Sequence, residues 1–158
     1  LKKYVPGCED ARLLCSGSTL GIRESRHIHG EKTLTLEDII EGRTPHDSVL
    51  VCSNSADIHG RFGPKSNEYV VIQNGDWYGI PYGCLVPQRI DGLLLAGRCF
   101  SATSDAAGAV RVMPPCMCMG QAAGIAASLS AQQCMNPRNI QPAQVRETLR
   151  QQGAFLPD

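Results

Sequence analysis

The stretch 92–129 limits the possible folds of this chain more than any other, because it joins a short apolar run to a long helix rich in alanine and glycine. Residues 93–96 are three leucines and an alanine, and an uninterrupted apolar run of this kind predicts a strand buried on both faces. Gly97 and Arg98 follow at the carboxyl end of that strand, where open α/β sheets bind their ligands. Two successive prolines from Pro114 mark the beginning of the helix, whose positive dipole end favours an anion. The stretch therefore predicts an α/β protein with a ligand site between the strand and the helix.

Shorter patterns predict the other elements. Residues 21–29 alternate with charged side chains on both faces, which indicates a strand that crosses a ligand site. Thr35 caps a short helix with acidic residues in its first turn, and Gly42 ends it. The remaining predicted elements are a strand over 49–52, a hairpin of strands 69–73 and 76–80 about Asn74 and Gly75, and a last helix from Pro142 to Gly153.

Charge and composition exclude several classes of partner. Fifteen basic residues balance fifteen acidic ones in 158 residues, so no excess of charge predicts binding to nucleic acid or to an anionic membrane surface. No apolar run has the length of a membrane span, and no signal peptide is recognisable. The eight cysteines include no CxxC pair, so we predict no metal site and interpret the cysteines as small buried apolar residues. Free thiols in this number favour a reducing compartment, and we expect the protein to be cytoplasmic.

Six segments in unbroken order make up a recognisable pattern: 21–26, 57–59, 80–82, 85–87, 93–98 and 111–124. The pattern resembles the C-terminal part of the FAD-dependent oxidoreductases of the glutathione-reductase-like superfamily. Within that superfamily the chain is most similar to a group whose members end in an LLxAGR strand and an RVMPxCMxxGQAAG helix. The resemblance covers residues 20–156.

The resemblance implies that FAD is the cofactor and which residues contact it. Gly97 would let the backbone approach the ribityl-pyrophosphate part of FAD, and Arg98 could pair with phosphate through its planar fork. The plain alternatives are a glycine at a tight strand exit and an arginine in a surface ion pair. The resemblance also favours a loose segment before Gly120, so that the helix proper starts there and its first amides face the flavin. The cofactor-binding residues predicted in this way are Gly120, Gln121, Ala122, Ala123 and Gly124.

Small residues form a stripe on this helix at helical spacing: Gly120, Gly124, Ala127 and Ala131. A glycine inside a helix costs about 1 kcal/mol relative to alanine, so we expect close packing against the stripe to offset that cost. The stripe carries no chemistry in this interpretation.

One part of the family's pattern is absent from the sequence. Enzymes of this superfamily open with a strand and a GxGxxG turn that holds the FAD pyrophosphate, and no GxGxxG occurs in these residues. We therefore expect a C-terminal fragment of a two-domain α/β FAD-binding oxidoreductase, inactive and weak in FAD binding by itself. The expected division is a leader or severed element over 1–20, a β-rich substrate-domain region over 21–88, and the C-terminal part of the FAD-binding domain, with its closing strand and helix, over 89–158.

Polar side chains on the substrate side are candidates for acid–base chemistry. Oxidation of an alcohol or an amine by hydride transfer needs a group that takes a proton. His59 titrates in the useful range, and Asp57 shares its strand face two residues earlier. Arg111 could hold a substrate carboxylate or the flavin itself, and Arg23 and Arg26 are further polar candidates. We name His59, Asp57 and Arg111 as candidate catalytic residues, with a surface histidine of no role as the alternative for His59.

The predicted function is the transfer of a hydride or an electron pair between a small organic substrate and FAD. We also expect the chain to form homo-oligomers, because a fragment exposes apolar surface that self-association would cover. Related sequences often carry a histidine where this chain has Ser104, so the resemblance leaves the substrate open. Two alternatives remain: a non-catalytic self-associating module, and a thiol-rich protein that binds metal or takes part in redox chemistry.

Overall fold

Helices and strands are mixed along the chain in the computed structural model, which describes residues 2–59 and 67–157. In chain order the elements are α1 (Leu36–Ile40), β1 (Ser48–Cys52), β2 (Ala56–His59), β3 (Asn67–Val70), β4 (Tyr78–Pro81), a 3₁₀ turn (Tyr82–Leu85), α2 (Ser104–Val110), α3 (Met113–Gln133), a second 3₁₀ turn (Pro137–Asn139) and α4 (Pro142–Gln151). This mixture is compatible with the predicted α/β class. Residues 2–20 contain no helix or strand.

The capped helix α1 forms as predicted. The backbone N–H of Asp38 donates to the Thr35 hydroxyl at 3.3 Å, and the Asp38 carboxylate accepts from the Thr35 backbone N–H at 2.9 Å. This reciprocal pair satisfies two N–H groups that the first turn of a helix leaves free. Gly42 follows the helix with a φ of +62°, a conformation that glycine adopts without steric cost. Local sequence alone is therefore sufficient to fix both ends of α1.

The predicted hairpin about Asn74 and Gly75 is wrong in its partners. Gly75 does have a φ of +87°, but β3 pairs with β2 and β4 pairs with β1, both antiparallel, in two separate two-stranded sheets. The four residues of β4 are fully buried against β1, where Leu50 lies opposite Ile80. Turn chemistry thus sets a local bend, while burial of apolar side chains decides which strands pair.

Two other predicted strands do not form. Residues 93–96 make one backbone bond to the rest of the described chain, from Leu95 N–H to Leu85 O at 2.9 Å, and Leu93 is 41% exposed. Residues 21–29 are extended without belonging to a sheet, although Ile28 N–H donates to Cys99 O at 3.0 Å. A strand needs a continuous ladder partner for its N–H and C=O groups. No such partner lies beside either segment within residues 2–59 and 67–157.

Helix α3 begins at Met113, so the start near Gly120 that the resemblance favours is wrong. Pro114 and Pro115 occupy its first turn, where a missing N–H costs nothing. The face that packs inward, against β1 and α4, is Pro115, Met119, Ala122, Ala126 and Ser130.

The small-residue stripe of α3 is exposed instead of closely packed. A side-chain carbon added at Gly120 or Gly124 would meet nothing within 4 Å, and Ala127 and Ala131 are also exposed. The expected packing against this stripe is therefore not present in the described chain. The buried face of α3 is instead the one that carries the larger Met119.

The last helix agrees with the prediction, since α4 begins at Pro142, buries Val145 and Leu149, and is followed by Gly153 at a φ of +86°.

The cysteines agree less well with the prediction that they are small buried residues. All eight are free thiols; Cys52 and Cys84 are buried, but Cys15, Cys118 and Cys134 are exposed, so the interpretation as buried apolar residues is wrong for these three. Within the described residues no single helix is long and apolar enough to span a membrane. Helices α2 and α3 have the required length and apolar composition only when taken together, and the pair is bent by 94°.

Candidate active site

An extended segment, 22–27, lies against the turn at 97–100 and the ends of α2. Arg98 donates from Nη1 to the carbonyl oxygens of Ile22 and Arg23, each at 3.1 Å. The His27 ring nitrogen Nδ1 lies 3.1 Å from the carbonyl oxygen of Phe100, which is buried. These contacts fix the segment across the loop that leads into α2.

The carboxylate of Glu24 makes hydrogen-bond contacts with the side chains of three other residues. Glu24 Oε1 accepts from the Ser104 hydroxyl at 2.9 Å and lies 3.0 Å from His27 Nε2. Glu24 Oε2 accepts from Arg111 Nη1 at 3.0 Å. Ser104 begins α2 and Arg111 follows its last residue, so Glu24 connects the extended segment to both ends of that helix. We call Glu24, His27, Ser104 and Arg111 the Glu24 cluster.

Three members of the Glu24 cluster are largely withdrawn from solvent, since the side chains of Glu24, His27 and Arg111 are 15%, 17% and 14% exposed, while Ser104 is exposed. Burial by itself raises the pKa of Glu24. The hydrogen bonds from His27, Ser104 and Arg111 outweigh that effect, so the pKa of Glu24 lies below its usual range. Glu24 is therefore ionised and serves as the acceptor for all three neighbours.

The lowered pKa of Glu24 predicts a loss of stability in acid. A carboxyl group whose pKa is lower in the folded state stabilises the fold above its unfolded pKa, and that contribution disappears as the pH falls through the folded pKa. We expect the free energy of unfolding, measured by urea titration from neutral pH downward, to fall less steeply in Glu24→Gln than in the unsubstituted protein. Parallel pH dependences in the two proteins would show that Glu24 has the same pKa folded and unfolded.

Two cavities adjoin the Glu24–Arg111 pair. The first, of about 460 Å³, is lined by Arg111 and by eight other residues, which are Arg23, Ser53, Asn54, Ser55, Asp57, Tyr69, Gly108 and Val112. We call it the Arg111 cavity. The second, of about 180 Å³, is lined by Glu24 together with Arg23, Arg26, Arg98 and Cys99 and two uncharged residues. We call it the arginine cavity. Glu24 is the only carboxylate among the described residues that line the arginine cavity.

The predicted catalytic residues are brought together in part. Arg111 Nη2 donates to the backbone oxygen of Asp57 at 2.9 Å, and both residues line the Arg111 cavity. His59 ends β2, where its backbone pairs with Asn67, and its side chain lies outside the part of the chain that the structure describes. Arg111 thus lies at the candidate site with its guanidinium held on two sides.

The predicted cofactor residues fall into two groups. Gly97 has a φ of +85° with open space where a side chain would project, and Arg98 is exposed beside the arginine cavity. Residues 120–124 lie in the third and fourth turns of α3, so the interpretation of their amides as first-turn groups is wrong, and contact with the flavin stays a prediction. Of these five, Gly120, Gln121 and Gly124 are exposed, Ala123 is half-buried, Ala122 is buried, and the Gln121 side chain donates to Gln152 Oε1 at 3.0 Å.

The turn at 97–99 does lie near the true beginning of α3. Burial raises the pKa of the Cys116 thiol, while the nearby Arg98 charge lowers it and the Cys99 thiol raises it further. Because Pro114 and Pro115 lack N–H groups, Met113 is the only one of the first three helical residues with an N–H to offer an anion. The start of this helix therefore offers an anion fewer free N–H groups than the sequence pattern predicts.

Sequence reasoning did not single out Glu24, His27 or Ser104 as site residues. Glu24 and His27 lie in the segment that was predicted to cross a site, three residues apart, but an extended segment gives no spacing rule that pairs them. The partner of Glu24, Arg111, and the partner of His27, Phe100, are more than seventy residues away in the sequence. Only the tertiary fold makes the cluster visible.

An acid–histidine–arginine cluster beside polar cavities, with a shifted carboxyl pKa, is a candidate functional site. The family model described as FAD dependent oxidoreductase matches residues 1–149, and the chain belongs to this family, whose cofactor is FAD. No curated protein and no solved structure matches the chain. The family assignment points to a flavoprotein with redox function.

The residues at the site fit an anionic dinucleotide such as FAD. Three guanidinium groups, from Arg23, Arg26 and Arg98, surround the arginine cavity, and the one carboxylate there is already paired with Arg111. Gly97 presents open backbone next to them. Guanidinium groups are the usual partners of phosphate oxygens, so the donor set suits the charge of the cofactor. Within the described residues no group of three or more His, Cys, Asp or Glu side chains could hold a metal ion.

Proposed function

We propose that this chain is the C-terminal portion of a two-domain flavoenzyme of the glutathione-reductase-like superfamily, and that the whole enzyme transfers a hydride or an electron pair between a small organic substrate and FAD. The observation that carries the proposal is the Glu24 cluster with three arginines beside it, in a chain that belongs to the FAD-dependent oxidoreductases. The segments 93–98 and 111–124, which resemble the closing strand and helix of that superfamily, support the C-terminal assignment.

Gly97, Arg98 and the first turn of α3 would hold the cofactor. Gly97 allows close approach of the backbone, Arg98 supplies a forked donor, and the dipole of the 21-residue helix α3 favours negative charge at Met113. We still predict that residues 120–124 contact the rest of the cofactor domain. They would do so through the exposed side of α3 and not through free backbone amides. When bound, FAD accepts the hydride that the substrate gives up.

The Arg111 cavity is the proposed place of the substrate. Arg23 and Arg111 offer positive charge, and Ser53, Asn54 and Ser55 offer hydroxyl and amide groups, so the cavity suits a small polar organic molecule with an acidic group. Asp57 and His59 stay proposals for the group that takes the substrate proton. The division into a substrate region over 21–88 and a cofactor region over 89–158 follows the same proposal, as does a cytoplasmic location.

The proposal is tested by FAD binding. The residues that hold the pyrophosphate in this superfamily are absent, and each 1.4 kcal/mol of lost contact weakens binding about tenfold. We expect this chain to bind FAD at least a hundredfold more weakly than a product of the same gene that includes a GxGxxG turn, by quenching of flavin fluorescence. In that longer product Arg98→Gln should weaken FAD binding, and Arg89→Gln, at another exposed arginine, should not. Tight stoichiometric FAD on the chain alone would overturn the C-terminal assignment, and a longer product without FAD would overturn the flavoenzyme.

Self-association is the second part of the proposal that can be measured. The exposed side of α3 carries Met113 and Met117, which are 80% and 73% exposed, next to the small residues Gly120 and Gly124. Apolar surface of this kind is usually covered in solution. We expect light scattering at micromolar concentration to give a dimer or larger species, and Met117→Lys to shift it toward the monomer. A monomer that binds no hydrophobic dye would contradict the expectation.

A further inference from the structure

The hydrogen-bond partners of His27 determine how many protons its ring carries. Nδ1 lies 3.1 Å from the carbonyl oxygen of Phe100, which has no proton to give, so Nδ1 must donate. Nε2 lies 3.0 Å from Glu24 Oε1, and that oxygen already accepts from the Ser104 hydroxyl. Both ring nitrogens therefore face oxygen atoms that act as acceptors.

The proton between His27 and Glu24 must come from the imidazole. Glu24 is ionised because its other oxygen accepts from Arg111 at 3.0 Å, so the carboxylate has no proton to donate to Nε2. The contact is satisfied only when Nε2 carries a proton as well as Nδ1. If Nε2 lost that proton, a nitrogen lone pair and a carboxylate oxygen would face each other at hydrogen-bond distance in a site with little access to water.

The charges around the pair make Glu24 indispensable to this arrangement. Arg23, Arg26, Arg98 and the thiol of Cys99 line the arginine cavity with Glu24, Arg111 faces it from the end of α2, and His29 and Arg89 share a cavity of about 440 Å³ with His27. Within the described chain Glu24 is the only carboxylate lining these two cavities, and Asp57 is a further carboxylate that lines the Arg111 cavity with Arg23 and Arg111. A second proton on His27 adds positive charge to a positive surrounding, and Glu24 is the group that compensates it.

We infer that His27 and Glu24 share one exchangeable proton beside the cofactor and that this proton sets how Glu24 positions Arg111 and Ser104. Glu24 is thus a positioning residue. When His27 Nε2 carries the proton, Glu24 accepts hydrogen bonds from all three donors at once. When Nε2 has lost that proton, Glu24 Oε1 faces the lone pair of Nε2 and is repelled by it. The shared proton does not depend on the proposed function. The link to the cofactor does rest on it, since Glu24 lines the same cavity as Arg98, which is proposed to bind FAD. The step moves a proton alone, so no oxidant or reductant is required.

The ring nitrogens of His27 give the first test. In ¹⁵N-labelled protein at neutral pH, two-bond nitrogen–proton correlation should show both His27 nitrogens protonated. Glu24→Gln should convert His27 to the neutral ring with the proton on Nδ1 alone, because the glutamine amide N–H can donate to a bare Nε2. Glu147→Gln makes the same chemical change at an exposed position on α4, where Glu147 accepts from Gln151, and should leave His27 unchanged. A neutral His27 ring in the unsubstituted protein, or a doubly protonated one in Glu24→Gln, would overturn the inference.

The second test uses a property that a merely structural pair would not alter. In the FAD-loaded longer product that includes a GxGxxG turn, the midpoint potential of the flavin is measured against pH for the unsubstituted protein, Glu24→Gln and Glu147→Gln. We expect the pH dependence of the potential to change in Glu24→Gln only, and identical dependences in all three would overturn the link to the cofactor. Failure to load FAD would count against the proposed function instead, and the nitrogen spectra would still decide on the shared proton.

Discussion

Arg111→Gln should lower the free energy of unfolding by about 3 kcal/mol, at the low end of the range for breaking a buried ion pair. The side chains of Arg111 and Glu24 are 14% and 15% exposed, so the substitution leaves a carboxylate that water reaches poorly and that has lost its guanidinium partner. It also removes the bond from Arg111 Nη2 to the Asp57 backbone, which joins α2 to β2 at the Arg111 cavity. Urea denaturation at neutral pH measures the change directly.

The exposed ion pairs of Arg43 provide the matched control. Arg43 pairs with Asp38 and Glu41, but its side chain is 51% exposed, and water screens pairs of that kind so that they contribute little to stability. We expect Arg43→Gln to change the free energy of unfolding far less than Arg111→Gln does. The double variant Glu24→Gln with Arg111→Gln should lose less than the two single losses added together, because neither charge is left alone. Equal losses in Arg111→Gln and Arg43→Gln would show that the Glu24 cluster is not effectively buried.

Gly42→Ala should destabilise the fold by about 3 kcal/mol, for two reasons that act together. Gly42 has a φ of +62°, which costs a residue with a side chain roughly 1–2 kcal/mol. The added carbon would also lie 1.8 Å from the Asn74 backbone oxygen, so the chain before β4 must move, and overpacking of this kind costs about 1–3 kcal/mol. Thermal and urea unfolding of the variant would measure the sum.

Gly75→Ala separates the two contributions. Gly75 has a φ of +87° but open space around the position of the added carbon, so only the conformational cost of about 1–2 kcal/mol applies. We expect Gly75→Ala to be clearly milder than Gly42→Ala. If the two variants were equally stable, the close approach of Gly42 to Asn74 would not exist in solution.

Several features of this protein follow from short stretches of sequence. The capping pair of Thr35 and Asp38 fixes the beginning of α1, and the prolines at 114 and 142 lie in the first turns of α3 and α4. Each depends on groups within one turn of helix, so no distant residue can overrule it. The family and its cofactor were also recognisable from sequence, because the motifs of the chain keep their order and the family match covers residues 1–149.

The strand pairing required the tertiary structure. The turn at Gly75 was correctly placed, but β4 pairs with β1 because its four buried residues need an apolar partner, and a turn signal says nothing about that partner. Residues 93–96 are apolar enough for a central strand and yet form none, since a ladder depends on neighbours that the pattern of one segment does not specify.

The candidate site depended on the fold most of all. Sequence reasoning named Arg111 and Asp57, which share the Arg111 cavity, but it missed Glu24, which lies 87 residues before Arg111 and holds it in place. It also placed residues 120–124 at a helix start that lies at Met113. The local caps, the prolines in the first turns of α3 and α4 and the family follow from the sequence alone, because these depend on neighbouring residues or on motifs kept in order. Which strands pair, which face of α3 is buried and which charges meet at Glu24 were decided by tertiary packing, because those contacts join residues that the chain separates by tens of positions.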